Sequence, residues 1–88
     1  MMVFMYTLST CPWCFKTKQF FKSNHIPFDY VDYDLQNEAE QDRIMKEISA
    51  LNAHAMGFPI VKIGDQVVVG FNPERYSELL GLKKGVMA

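Results

Sequence analysis

Both cysteines of this 88-residue chain lie in one short stretch, Cys-Pro-Trp-Cys, at positions 11–14. The run before it, MVFMYT (2–7), is apolar, β-branched and aromatic, which predicts a buried strand. Pro12 then suits the first turn of a helix, where a missing N–H costs nothing. The cysteines are therefore expected where a strand passes into a helix, and this junction restricts the folds open to the chain.

Strand-like and helix-like patterns alternate along the whole chain. The predicted elements are a strand at 2–7, a helix at about 12–24, a strand at 28–34, a helix that begins after Asn37, a hairpin of strands at 59–63 and 66–70, and a last helix between Asn72 and Gly81. In the first helix the residues expected to face inward are Cys14, Thr17, Phe20 and Phe21. Asn37 is a predicted N-cap, with Glu40 as its capping-box partner.

This βαβαββα order predicts an α/β fold with a four-stranded mixed sheet flanked by helices. The helix between the first two strands favours a parallel pair, and the hairpin adds an antiparallel edge. A chain of this length is expected to form a single domain, here residues 1–88.

Composition and charge exclude several classes of function. The net charge of −1 offers no electrostatic surface for nucleic acid or for an anionic membrane. No apolar run reaches the ~18–20 residues of a membrane span, and the N-terminus has neither a basic leader nor a cleavage site. We therefore expect a cytoplasmic monomer, and in that compartment stable structural disulfides are rare.

The spacing of Cys11 and Cys14 points to redox chemistry instead. At a helix N-cap, the free N–H groups and the helix dipole favour a thiolate at Cys11. Cysteine motifs of this spacing at helix N-termini have thiol pKa values lowered to about 3.5–7.5. Cys11 is the candidate nucleophile, and Cys14, one turn further in, is the candidate resolving thiol of a dithiol–disulfide cycle.

A metal site or an ordinary pair of core cysteines are the alternatives. Structural zinc needs four ligands, and the histidines, His25 and His54, lie far apart in sequence, so no metal is expected. Two core cysteines without chemistry remain open, although a Cys-x-x-Cys pair beside a βαβ pattern favours a thioredoxin-like redox motif.

With these residues in view, the chain resembles the glutaredoxin family of the thioredoxin superfamily. The resemblance covers nearly the whole sequence and depends on MYTLSTCPWCFKTKQFF (5–21), GFPIV (57–61) and VVVGFNPE (67–74). It implies a thioredoxin-like fold and a thiol–disulfide oxidoreductase. It also implies a cis peptide bond before Pro59, which would face the cysteines, and a backbone at Phe58 that pairs with the substrate. The substrate-binding residues it implies are Pro12, Trp13, Phe58, Pro59, Gly70, Phe71 and Asn72.

Three positions depart from the family's glutathione site. Leu8 stands where the family has a lysine, and Val69-Gly70 replaces a Gly-Gly pair. Asn72 and Pro73 stand where acidic residues hold the γ-glutamyl end, and Pro73 has no N–H. If the resemblance holds, these departures imply that glutathione, the family's usual reductant, binds this chain weakly.

The segment GFNPE (70–74) resembles instead the Gly-Phe-x-Pro segment of the glutaredoxin-like redoxins that supply electrons to ribonucleotide reductase. Those redoxins take electrons from thioredoxin reductase. The leading hypothesis is therefore a carrier that reduces protein disulfides, ribonucleotide reductase among the candidate targets, with a thioredoxin-reductase-type partner as reductant. It needs no bound cofactor, since the redox group is the Cys11–Cys14 disulfide. Trp13, Phe58 and Phe71 would form an apolar rim for a protein surface.

Two other hypotheses stay open. One is a conventional glutaredoxin that uses the same cysteines with the glutathione system. The other is a binding module that holds an iron–sulfur cluster between two subunits through Cys11. Pro12 counts against the second, because cluster binders of the family often lack that proline.

Overall fold

The computed structural model describes residues 2–51 and 57–81. Its strands are β1 (Val3–Thr7), β2 (Asp29–Asp32), β3 (Ile60–Ile63) and β4 (Gln66–Val69), and its helices are α1 (Pro12–Ser23), α2 (Glu38–Ala50) and α3 (Pro73–Leu80). A 3₁₀ turn, Tyr33–Leu35, follows β2. The strands form one sheet in the order β2-β1-β3-β4, in which β1 is parallel to β2 and antiparallel to β3. The predicted element order and the mixed sheet are confirmed.

Strand β1 lies inside the sheet and is covered on both faces. Because successive side chains of a strand point to opposite faces, Val3 and Met5 enter one core cluster, with residues of α1 and α3. Tyr6 enters the other cluster, where it meets Ile44 and Ile48 of α2. This double burial explains why the first strand reads as a continuous apolar run.

Helix α1 starts at the carboxyl end of β1, after the loop that holds Ser9. Cys11 is its N-cap, with extended backbone angles (φ −89°, ψ 115°), and Pro12 occupies the first helical position. The predicted inward face is confirmed: Cys14, Thr17 and Phe21 are buried, and so is Phe20. The core therefore fixes the rotation of the helix whose first turn carries the two cysteines.

Helix α3 is bounded as the sequence predicts. The Asn72 side chain accepts a hydrogen bond from the Arg75 backbone N–H at 3.1 Å. Gly81 ends the helix in the left-handed region (φ 69°), which glycine adopts without strain. Tyr76 is fully buried and packs against Phe20 and Phe21 of α1. Helix α3 is thereby held against α1.

Two sequence-based predictions of local structure are only partly right. The second strand was expected over 28–34, but it ends at Asp32, because Tyr33 and Asp34 turn into the 3₁₀ segment. The capping box at Asn37 is half formed: Asn37 Oδ1 accepts the Glu40 N–H at 2.9 Å, but the Glu40 carboxylate pairs with Arg43 instead of reaching back.

None of the helices in the described ranges is both long enough and apolar enough to cross a membrane.

Candidate active site

Cys11 stands at the start of α1 with a partly exposed side chain. Its Sγ accepts a hydrogen bond from the backbone N–H of Cys14 at 3.2 Å. That N–H is one of the donors that the first turn of a helix leaves unpaired, and it stabilises negative charge on the sulfur. Cys11 is thus at the helix start, where the sequence predicts it.

Cys14 lies one turn further in and is buried, with 1% of its surface exposed. Both cysteines are free thiols in this structure. Burial, followed by the hydrogen bond with Cys11, raises the pKa of the Cys14 thiol to about 12. The two thiols therefore occupy opposite environments, one at the surface beside a helix N-terminus and one in the core.

The Phe58–Pro59 peptide bond is cis, as the family resemblance implies. Pro59 is buried, and its carbonyl accepts the Gly70 N–H at 2.7 Å. The Phe58 carbonyl faces the Cys11 sulfur at 3.9 Å. The segment before β3 therefore places backbone polar atoms beside the exposed thiol.

Of the expected apolar rim, two residues come together. Trp13 and Phe71 stack with their ring centroids 6.1 Å apart, and Trp13 is 54% exposed. The Lys16 ammonium lies 4.6 Å from the centre of the Trp13 ring. The Phe58 ring packs elsewhere, on Tyr33 with centroids 5.8 Å apart, so Phe58 contributes its backbone to the site rather than its ring.

The loop between β4 and α3 lies next to the site, since its Phe71 stacks on Trp13. Gly70 has a φ of 90°, in the region that favours glycine, and its carbonyl accepts a hydrogen bond from the buried Tyr76 hydroxyl. Asn72 is exposed, but its Oδ1 is occupied by the cap of α3. Leu8 holds the backbone N–H of Cys11 through its carbonyl at 3.3 Å, so its contribution to this contact does not depend on its side chain.

Four residues near the site were missed by the sequence analysis. Ser9 and Asp34 bond to each other across 25 residues of chain, and Tyr33 stacks on Phe58; no local pattern encodes such pairs. Phe15 is 62% exposed beside Cys14. It could have been found, since it is an apolar residue out of phase with the buried face of α1.

Within the described ranges, no three His, Cys, Asp or Glu side chains gather into a group able to hold a metal ion. His54, weighed above as a ligand, lies outside those ranges.

A cis-proline that faces a Cys-x-x-Cys helix start, on a four-stranded sheet of this topology, defines the thioredoxin-like fold. The glutaredoxin family profile matches residues 3–68, and the chain belongs to the glutaredoxin family. It is thus a glutaredoxin-like redox protein of the thiol–disulfide oxidoreductase class.

Three relatives show how close the likeness is. A glutaredoxin-like 8.6 kDa protein in the rubredoxin operon of Clostridium pasteurianum is 33% identical over 79 residues, which cover 90% of this chain and 97% of that protein. The crystal structure of methanoredoxin from Methanosarcina acetivorans matches with a TM-score of 0.82 and 37% identity, covering 91% of this chain and 84% of that one. The NrdH-redoxin of Escherichia coli, described as a glutaredoxin-like protein with a thioredoxin-like activity profile, matches with a TM-score of 0.66 and 26% identity over 90% of this chain and 95% of its own.

Proposed function

We propose that this protein is a dithiol electron carrier that reduces protein disulfides, with Cys11 as the attacking thiol and Cys14 as the resolving thiol. The observation that carries the proposal is the contrast between the two sulfurs. Cys11 is partly exposed and accepts an N–H hydrogen bond at 3.2 Å, whereas Cys14 is buried with a pKa raised to about 12. Since the thiolate is the nucleophile, attack starts at Cys11.

The cycle transfers two electrons in two exchange steps. The Cys11 thiolate attacks one sulfur of the substrate disulfide, forms a mixed disulfide and releases the other substrate sulfur as a thiolate. Cys14 then gives up its proton and attacks the Cys11 sulfur, which releases the second substrate thiol. The protein dithiol ends as the Cys11–Cys14 disulfide, and the substrate disulfide ends as two thiols.

A polypeptide substrate is supported by the surface around Cys11. Trp13 and Phe71 form a stacked, partly exposed aromatic pair, and aromatic residues are enriched in protein interfaces. The Phe58 carbonyl accepts a weak hydrogen bond from the Cys11 thiol at 3.9 Å. Once Cys11 loses its proton, this carbonyl is free to accept a hydrogen bond from a peptide backbone. Ribonucleotide reductase is a candidate target, because the GFNPE segment (70–74) resembles that of redoxins that serve it.

A protein reductase, rather than glutathione, is the electron donor we propose. Leu8 and Asn72 are neutral where the family places ionic contacts with glutathione, and Pro73 begins α3 without an N–H. Each lost contact of this kind is worth roughly 1–3 kcal/mol when it is desolvated, so two together weaken binding by a factor of about 30 to 3 × 10⁴. A flavin-type thioredoxin reductase fits the remaining aromatic surface better.

Trapping tests the roles of the two cysteines. Cys14→Ser should accumulate a mixed disulfide with a protein substrate on Cys11, visible on a non-reducing gel, because the resolving thiol is missing. Cys11→Ser should trap nothing. Equal trapping by the two variants would contradict the assignment.

A direct comparison tests the electron donor. The oxidised protein is offered NADPH with thioredoxin reductase, or NADPH with glutathione and glutathione reductase, and we expect the first system to reduce it faster. Leu8→Lys combined with Asn72→Asp should raise activity with glutathione. A matched control, Met2→Lys with Gln66→Glu, adds the same charges at exposed positions elsewhere. If the unaltered protein turns over a glutathionylated substrate as fast as an ordinary glutaredoxin does, it is a conventional glutathione-dependent glutaredoxin instead.

A further inference from the structure

The Tyr33–Leu35 turn contacts the loop that leads into Cys11. Its Asp34 carboxylate accepts two hydrogen bonds from Ser9, one from the backbone N–H at 2.9 Å and one from the hydroxyl. These bonds hold the pKa of the Asp34 carboxyl below its usual range, so it stays charged near neutral pH. Ser9 precedes Cys11 by two residues, and the turn therefore fixes the loop that presents the exposed thiol.

The same turn also contacts the segment before the cis-proline. The Tyr33 ring stacks on the Phe58 ring, with centroids 5.8 Å apart and planes 29° from parallel. Phe58 is the residue whose carbonyl faces the Cys11 sulfur. Adjacent residues of one turn thus hold the two halves of the site, the Cys11 half through Asp34 and the Phe58 half through Tyr33.

The turn is itself held at both sides. Gln36 donates from its side-chain amide to the Asp32 carbonyl at 3.2 Å. Gln41 of α2 donates to the Tyr33 carbonyl at 3.1 Å. Because the turn is anchored to β2 and α2, it can hold the loop before Cys11 and the segment at Phe58 at a fixed distance from each other.

We propose that Tyr33 and Asp34 are positioning residues that set the distance between the Cys11 sulfur and the Phe58 backbone, and so favour disulfides carried on a polypeptide over small disulfides. This inference rests on the function proposed above. A peptide disulfide must meet the Cys11 sulfur and the Phe58 backbone at once. A small disulfide needs only the sulfur, so its reduction does not depend on the separation.

The test compares the two kinds of disulfide in a single turnover from fully reduced protein. One substrate is an octapeptide of Ala, Gly and Ser with a central cysteine, joined to a second copy by its disulfide; the other is hydroxyethyl disulfide. Trp13 is the sole tryptophan and stands between the cysteines, so its fluorescence follows the oxidation in stopped flow. No reductase takes part, and the identity of the electron donor does not affect the result.

The quantity compared is the ratio of the two second-order rate constants. Asp34→Ala, which removes both acceptor oxygens, and Tyr33→Leu should each lower the peptide-to-small-disulfide ratio by about five- to tenfold, the effect of losing one ordinary contact of this kind. Ser9→Ala should lower it less, since the backbone N–H remains, and Ser9→Thr should preserve it. Asp42→Ala, at an exposed carboxylate on α2, is the matched control and should leave the ratio unchanged.

The ratio of rate constants distinguishes the proposed positioning effect from two other effects of the substitutions. Partial unfolding would slow both substrates in proportion, and removing a negative charge near Cys11 would alter both rates through the same thiol. An unchanged ratio in Asp34→Ala would overturn the inference and leave the proposed function standing. If the native protein reduces neither disulfide, the proposed function is wrong and the inference falls with it. Should Tyr33→Leu fail to fold, the surface variants at Ser9 and Asp34 decide the question.

Discussion

The difference in reactivity between the two thiols can be worked out from the structure. The pKa of Cys14 rises from an ordinary 9.0 to about 12. At pH 7 a thiol with the ordinary pKa of 9.0 is about one part in 10² thiolate, whereas Cys14, with its pKa of about 12, is about one part in 10⁵. Burial of its side chain, 1% exposed, further limits access of a reagent. We therefore expect Cys14 to be alkylated at least about 10³ times more slowly at pH 7 than an unburied cysteine.

The assay is alkylation by iodoacetamide, followed by mass spectrometry between pH 6 and 10. In Cys11→Ser, the rate at Cys14 should stay low at pH 7 and rise about tenfold per pH unit without reaching a plateau. This variant loses the smaller contributions of the Cys11 thiol to the pKa shift but keeps burial, the largest one. In Cys14→Ser, Cys11 should react readily at neutral pH.

Urea-unfolded samples of both variants provide the control. There the two cysteines should react at similar rates, because burial and the helix start are gone. If Cys14 in the folded protein reacts as fast as Cys11 near pH 7, the division of roles is wrong.

Four further predictions concern stability and bound groups. Ile44→Ala, at a fully buried position, should lower the free energy of unfolding by about 2–5 kcal/mol in urea denaturation. Asn72→Ala should lower it by about 0.5–2 kcal/mol through loss of the α3 cap, whereas Asn72→Asp should not. The pKa values of Cys14 and Tyr6 are both raised to about 12. Since folding raises these pKa values, the free energy of unfolding of the dithiol form should fall as the pH rises from about 9 toward 12. Tyr6→Phe should make that fall smaller. Protein purified without oxygen should be colourless, and a visible absorption band would favour the iron–sulfur alternative.

Features encoded by neighbouring residues could be predicted from the sequence. The start of α1 depends on Cys11 and Pro12, and the start of α3 depends on Asn72 and its contact three residues ahead. Caps and apolar periodicity act within one or two turns of helix, so a single sequence contains the information. The same holds for the inward rotation of Cys14, which shares the buried face of α1.

Features that depend on distant partners could not be predicted. Asp34 continues the alternating pattern of a strand, but its carboxylate is used by Ser9, 25 residues away. The Phe58 ring was expected beside Trp13, but it packs on Tyr33 and against the core cluster that contains Tyr6. The prediction of the cis bond before Pro59 depended on the family resemblance. Only about 5–6% of X–Pro bonds are cis, and no neighbouring residue requires this one to be.

The neutral residues at the expected glutathione positions are not required by the fold. Asp serves as an N-cap as well as Asn does, so the contact from Asn72 to the Arg75 N–H would survive a carboxylate at that position. Leu8 bonds to Cys11 through its backbone carbonyl, which a lysine would also provide. Since both ionic residues are compatible with the local structure, their absence bears on what the surface binds rather than on how the chain folds. The aromatic pair of Trp13 and Phe71 remains on that surface, and because aromatic residues are enriched in protein interfaces, we propose a protein partner rather than a small charged peptide.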